Sequence, residues 1–189
     1  MSNIDQKVKE NFADGVEGPI GATGPQGPIG ASGFSNFITY EIPGTYTWTR
    51  PTGVTKVIVE CWGAGGAGTF SNGSYYGGAG GGYGKSIIDV SNSSNVTVTV
   101  GPGTGGSSSF GNFLTATAGD FGENVGYSNG NILKLYGGRG GYGTTSTNVP
   151  SGAGALGGSG GYIFQNGFSP GGGGGLNANG GDGRVIIYW

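Results

Sequence analysis

The chain has 189 residues, no histidine, one cysteine (Cys61) and a net charge of −2, with only 10% charged residues. This excludes histidine-dependent nucleophile systems, the usual zinc sites, a disulfide within the chain, and phosphate-backbone binding, which scales with Lys and Arg contacts. No apolar run approaches the roughly 18 residues of a membrane span, and MSNIDQKVKENF has no apolar stretch of a secretory leader, so any extracellular role implies another exit route, such as a particle released by lysis.

Glycine supplies 49 residues, which by itself suggests disorder. The 10 Tyr, 9 Phe and 3 Trp, and several alternating runs, argue instead for a packed domain. The charge sits at one end. Residues 1–17 hold Lys7 and Lys9 against Asp5, Glu10, Asp14 and Glu17, leaving six basic and six acidic residues for the rest.

In residues 1–17, Ile4, Val8 and Phe12 recur at i, i+4, i+8, with Ser2 or Asn3 as a cap. One stripe over three turns predicts a short helix or an arm that gains order by docking on something larger. Residues 18–35 read GPI GAT GPQ GPI GAS GFS, with glycine at 18, 21, 24, 27, 30 and 33. This is the collagen triplet. Only glycine fits where three PPII chains crowd one axis, so the strict phase predicts three chains and a stalk of at most roughly 55 Å. The alternative is a flexible Gly/Pro linker.

Residues 36–189 form the predicted head. Phe37–Ile42, a Pro43-Gly44 turn and Thr45–Thr49 predict a strand pair, with Tyr46 and Trp48 on one face. In the next strand Val57, Val59 and Cys61 share a face, and Ile58, Glu60 and Trp62 the other, so Cys61 reads as a small buried hydrophobe. Strands follow at Lys85–Val90, Asn95–Val100 and Ile132–Tyr136. The run Arg184–Trp189 predicts a strand tied into a sheet, with Val185, Ile187 and Trp189 on one face.

Between them lie the glycine segments 63–68, 77–84, 101–106, 137–143, 152–161, 171–175 and 180–183. Their buried backbone groups still need partners. Extended PPII-like glycine chains, bundled side by side and bonded laterally, satisfy them, because chains without Cβ approach closely. Flexible loops of this length inside a compact domain are improbable.

Several motifs invite chemistry and fail on context. Gly63–Gly68 matches G-x-G-x-x-G after a strand, but the following TFSNGSYYGGAGGGYG cannot be a helix, so no dinucleotide site is predicted. The segment Tyr136–Gly143 resembles an RGG segment, but Arg139 stands alone and no nucleic-acid partner is expected. Asp120 and Glu123 fit no calcium loop. The sequons at Asn72, Asn92 and Asn95 read as turns and strand. No catalytic residue, cofactor or metal is predicted, and no enzyme activity is expected.

The segments linking the glycine runs are the candidates for recognition. Thr69–Tyr76 and Tyr162–Pro170 mix aromatics with Asn, Gln and Ser, giving contact area and adaptable hydrogen bonds on a rigid scaffold. The predicted contact residues are Phe70, Asn72, Tyr75, Tyr76, Phe164, Asn166 and Phe168. Thr144–Ser151 and Leu176–Asn179 are further polar links. The competing reading packs these aromatics against the bundle or a neighbouring chain.

PGTYTWTRPTGVTKVIVECWGAGGAG, VTVTVGPGTGG with SSSFG, and GGDGRVIIYW, in that order over residues 40–189, resemble the glycine-rich domain of bacteriophage tail-fibre and other virion proteins. Such fibres often carry short collagen-like stalks. The resemblance implies glycine runs packed as polyglycine-II helices, with the intervening loops touching a host receptor. The expectation is thus an all-β head with polyglycine-II segments, a collagen-like triple-helical neck and a short N-terminal helix or arm, assembled as a homotrimer. It implies a location on the virion surface, contact with other virion proteins through residues 1–17, and a host glycan or outer-membrane protein as receptor. The rivals are a purely structural virion decoration or neck fibre, a bacterial spore-surface or envelope protein with a collagen-like segment, and an enzyme acting on polysaccharide.

Overall fold

Alternation dictates the strands. A computed structural model describes residues 34–143 and 149–189, and no helix occurs among them. The expectations for 1–17, for 18–33 and for 144–148 lie outside the described residues. The strands are β1 (Phe37–Tyr40), β2 (Gly44–Thr49), β3 (Lys56–Trp62), β4 (Thr69–Ser71), β5 (Ser74–Tyr76), β6 (Tyr83–Asp89), β7 (Asn95–Val100), β8 (Ser108–Phe110), β9 (Leu114–Ala116), β10 (Leu133–Leu135), β11 (Tyr142–Gly143) and β12 (Arg184–Tyr188).

Two antiparallel sheets share one core. The five-stranded sheet runs β1-β12-β3-β6-β10 and the four-stranded sheet β2-β7-β8-β9. Val57, Val59 and Cys61 of β3 and Val185 and Ile187 of β12 meet Trp48, Val96, Val98, Val100 and Phe110 from the other sheet. Trp48 sits edge-on to Phe110 with ring centroids 5.6 Å apart, and Trp189 closes on Trp48 at 6.2 Å. The faces read from sequence for β2, β3 and β12 are those observed. Cys61 is fully buried in this core, and burial pushes its thiol pKa up.

Two sequence expectations need correction. Phe37–Ile42 and Thr45–Thr49 are not a strand pair. β1 pairs with β12 (Phe37 opposite Tyr188) and β2 with β7 (Trp48 opposite Val96), so Pro43-Gly44 carries the chain from one sheet to the other. The glycine segment 77–84 is shorter than its composition suggests. Tyr83 and Gly84 already belong to β6, paired with Trp62 and Cys61 of β3, and the Tyr83 and Trp62 rings lie 4.8 Å apart in a tilted contact. Position 84 is glycine because Ser128 lies against it; an added Cβ would come within 2.6 Å of the Ser128 hydroxyl.

Beyond the sandwich, glycine segments run back and forth and bond laterally. Residues 77–82 sit at the centre, all buried. Their N–H groups follow a period of three. Gly77 and Gly80 donate to Gly141 and Gly138; Gly78 and Gly81 to Gly174 and Gly171; Ala79 and Gly82 to Asp120 and Thr117. Their carbonyls accept in turn from Gly122, Gly152, Gly66, Gly126, Ala155 and Gly63. Every backbone polar group of this buried stretch therefore has a partner, as burial demands. The chains approach so closely that a Cβ built on Gly78 would lie 2.0 Å from the Gly66 carbonyl oxygen, and one on Gly173 2.0 Å from that of Gly78.

Candidate functional site

The back-and-forth course decides where the linking segments end up. The run 63–68 leaves the end of β3 and reaches β4; the run 77–82 returns from β5 into β6. The β4–β5 hairpin therefore caps the bundle at the end away from the sandwich. Its turn is Asn72-Gly73, both with positive φ (49° and 77°), the two-residue geometry for which Asn-Gly is preferred. β11 pairs with β5 at the same end, completing a three-stranded ribbon in the order β11-β5-β4. The 162–166 turn joins it through Leu176. The Phe164 amide donates to the Leu176 carbonyl, and Leu176 bridges to Gly68 in the residue before β4.

The ribbon presents aromatics on both faces. On one, Phe70 lies opposite Tyr75 with ring centroids 4.6 Å apart. On the other, Tyr76 contacts Phe121 at 5.5 Å and Tyr142 at 6.4 Å. Phe70, Tyr142, Tyr162 and Phe164 are all more than half exposed. Phe164 is held at φ 59°, and a bulky exposed residue in that region is costly unless its surroundings fix it. Here the fixing contacts are the bond to Leu176 and a turn in which Gln165 N–H donates to the Tyr162 carbonyl.

Of the sequence-predicted residues, Phe70, Asn72, Tyr75 and Tyr76 fall together on the ribbon, and Phe164 on the turn tied to it through Leu176. Asn166 is near that turn, where its side-chain oxygen accepts from the Asn179 amide at 3.0 Å. Phe168 sits apart, further along the returning segment, where its amide donates to the Ser159 carbonyl and its ring is exposed.

Phe121, Tyr136 and Tyr142 are not among the sequence-predicted contact residues, and Arg139 enters the sequence reading only through its likeness to an RGG segment. Tyr136, Arg139 and Tyr142 are three residues apart, and all three point outward, at 69%, 71% (side chain) and 71% exposure. In a three-residue helix such spacing defines a single face. Arg139 reaches Glu123 at 3.5 Å, an exposed pair of small energetic weight. The signal was the spacing itself, Y-G-G-R-G-G-Y, read as an RGG segment instead of as one row of a glycine helix.

Beside the ribbon's end of the bundle, a cleft of about 520 Å³ is lined by Val149, Pro150, Ser151, Gly160, Gly161, Tyr162 and Ile163. The Ser151 hydroxyl ties its floor to the Gly161 and Gly174 carbonyls at 2.8 and 2.9 Å. The assembly offers aromatic surface, amide groups and little net charge, which suits contact recognition of a neutral polar surface.

A sequence model of the glycine-rich domain matches residues 39–184, most of the chain. No curated protein sequence matches the chain as a relative.

Proposed function

The chain belongs to the glycine-rich domain family, and from that premise we propose that it is a trimeric bacteriophage virion appendage whose aromatic loops contact a molecule on the host surface. Residues 1–17 would join it to other virion proteins and residues 18–35 would form its collagen-like neck. The observation that carries the reading is the gathering of Phe70, Tyr75, Tyr76 and Tyr142 on the three-stranded ribbon, and of Phe164 on the turn tied to it, at one end of a backbone-bonded bundle. A bundle whose amides bond in every lateral direction is a rigid platform, and variable turns on a rigid platform are where recognition concentrates. The period of three in the amide bonding supports polyglycine-II packing of the runs. The receptor class that fits is a neutral glycan or an exposed loop of an outer-membrane protein. No catalytic step is proposed. The second reading, a structural decoration without receptor contact, draws on the same rigidity.

Exchanging residues 69–76 and 162–170 for Gly/Ser segments of equal length in the intact particle separates the two. The expected result is normal particle assembly with adsorption reduced at least tenfold. Unchanged adsorption and host range would leave only the structural reading.

A further inference from the structure

An antiparallel sheet with one face in water alternates apolar and polar residues. The outer face of the five-stranded sheet departs from this. Register places Phe37, Tyr188, Ile58 and Ile87 in one row across β1, β12, β3 and β6. Phe37 is 67% exposed and Ile87 46%. The next row adds Ile186 and Leu133 beside the Glu60–Lys85 ion pair at 2.7 Å. At the other end of the same face Trp62 and Tyr83 are buried under Ala155 and Leu135, and the Trp62 indole N–H donates to the Leu156 carbonyl. The glycine bundle thus covers one end of the face. Among the described residues nothing covers the end beginning at Phe37.

The chain itself indicates the occupant. The last Gly-X-Y triplet is Gly33-Phe34-Ser35. The Ser35 and Asn36 amides both donate to the Trp189 carbonyl, at 3.1 and 3.0 Å, and the Trp189 amide donates to the Asn36 carbonyl at 3.0 Å. In sequence, Asn36 alone separates the last triplet from β1. Three chains that share a triplet axis would start their β1 strands beside that axis, at high effective concentration. The uncovered apolar row begins two residues after the last triplet. Its charges stand in opposite-sign pairs across β3 and β6, Glu60 with Lys85 in an ion pair and Lys56 opposite Asp89 one row beyond Ile58 and Ile87, so the face carries no net charge that would select a charged partner.

We propose that the outer face of the five-stranded sheet, at its Phe37–Ile87 end, is buried against two further copies of this chain. It rests on the trimeric-neck part of the proposed function and assigns the neck a specific head-to-head contact.

Sedimentation equilibrium of the full chain and of a Phe37→Glu/Ile87→Glu variant tests it. The native chain is expected at three times 18.6 kDa, and the variant at the single-chain mass at the same concentration, with unchanged far-ultraviolet circular dichroism. A native trimer with a variant that stays equally trimeric overturns the proposed interface and leaves the neck intact. A native monomer overturns both. A second measurement holds if the variant misfolds. Maleimide labelling of Ile87→Cys in the full chain should be at least tenfold slower than labelling of Tyr162→Cys, with buried Cys61 silent in both. Equal rates overturn the proposal, and so does slow labelling at position 87 in a chain that sediments as a monomer, which would assign the cover to residues 1–33.

Discussion

The sandwich and the glycine bundle solve the same burial problem by opposite means. In the sandwich, Phe110, Val98 and Ile187 exclude water with side chains, and the backbone pairs only along the strands. In the bundle, Gly78 and Gly173 have no side chain to bury. Their backbones touch, and the hydrogen bonds fan out in three directions around the central segment 77–82. Apolar burial at roughly 25 cal/mol per Å² supports the first region. The second depends on fully satisfied amides, each bond contributing roughly 1 kcal/mol net, against the large backbone entropy that glycine loses on ordering. Such a bundle has little margin of its own. It is framed by β3, β6, β9, β10 and β12, whose ends feed or receive its segments.

If the sandwich is the source of stability, its largest fully buried side chain should matter greatly. Phe110→Ala removes a fully buried ring that contacts Trp48 and is expected to cost roughly 3–5 kcal/mol in denaturant unfolding. Circular dichroism and tryptophan fluorescence should report one coincident transition. A loss under about 1 kcal/mol would mean that the core relaxes around the gap and that the bundle carries more of the stability than side-chain burial suggests.

Two glycine substitutions sharpen the same contrast. At Gly173 the backbone dihedrals suit any residue, yet a Cβ would stand 2.0 Å from the Gly78 carbonyl oxygen. Gly173→Ala must push two segments apart and weaken the bonds from Gly173 to Gly152 and from Gly78 to Gly174, for roughly 2–3 kcal/mol. At Gly53 the φ is 82° and nothing lies within 4 Å, so Gly53→Ala meets only backbone strain, about 1 kcal/mol. Equal costs at the two sites would show that the bundle yields readily, against the close packing of its backbones.

The strands of the sandwich were legible because their signal has a period of two, and it survives in Thr45–Thr49, Val57–Cys61 and Asn95–Val100 whatever surrounds them. Sheet membership was not legible, since Pro43-Gly44 looks the same whether it folds a hairpin or carries the chain across to the second sheet. Gly84 was read as glycine run when it is strand, because the reason for glycine there is Ser128, 44 residues away. In the bundle, glycine spacing carries no hydrophobic pattern, but its few side chains do. Ala64 and Ala67, and Tyr136, Arg139 and Tyr142, each repeat at three. For the candidate site, composition picks out the residues on TFSNGSYY, and the β4–β5 pairing brings them onto one ribbon. Phe121 and Tyr142 are not legible as neighbours of Tyr76, because long-range backbone pairing brings them there, Tyr142 across the ribbon and Phe121 through its bridge to Gly78.

The seam between the two regions offers the mildest probe. Tyr83 follows the last residue of the central glycine segment and opens β6, buried against Trp62. Burial, reinforced by the negative charge of Glu60, pushes its phenol pKa well above the usual value. The folded protein therefore holds Tyr83 neutral, while the unfolded chain ionises it near pH 10. Its contribution to stability is complete below about pH 10 and is lost as pH rises further, because the unfolded chain then binds fewer protons than the folded one. Urea midpoints should fall as pH rises above about 10, and less steeply in Tyr83→Phe. Some slope should remain in that variant, since burial also raises the phenol pKa of Tyr188 on the same sheet face. If amide exchange in residues 77–82 accelerates in step with the loss of sandwich fluorescence, the two regions unfold as one unit. Exchange that quickens while the sandwich stays intact would show that side-chain packing stands alone and that the glycine bundle is held only by its attachment to it.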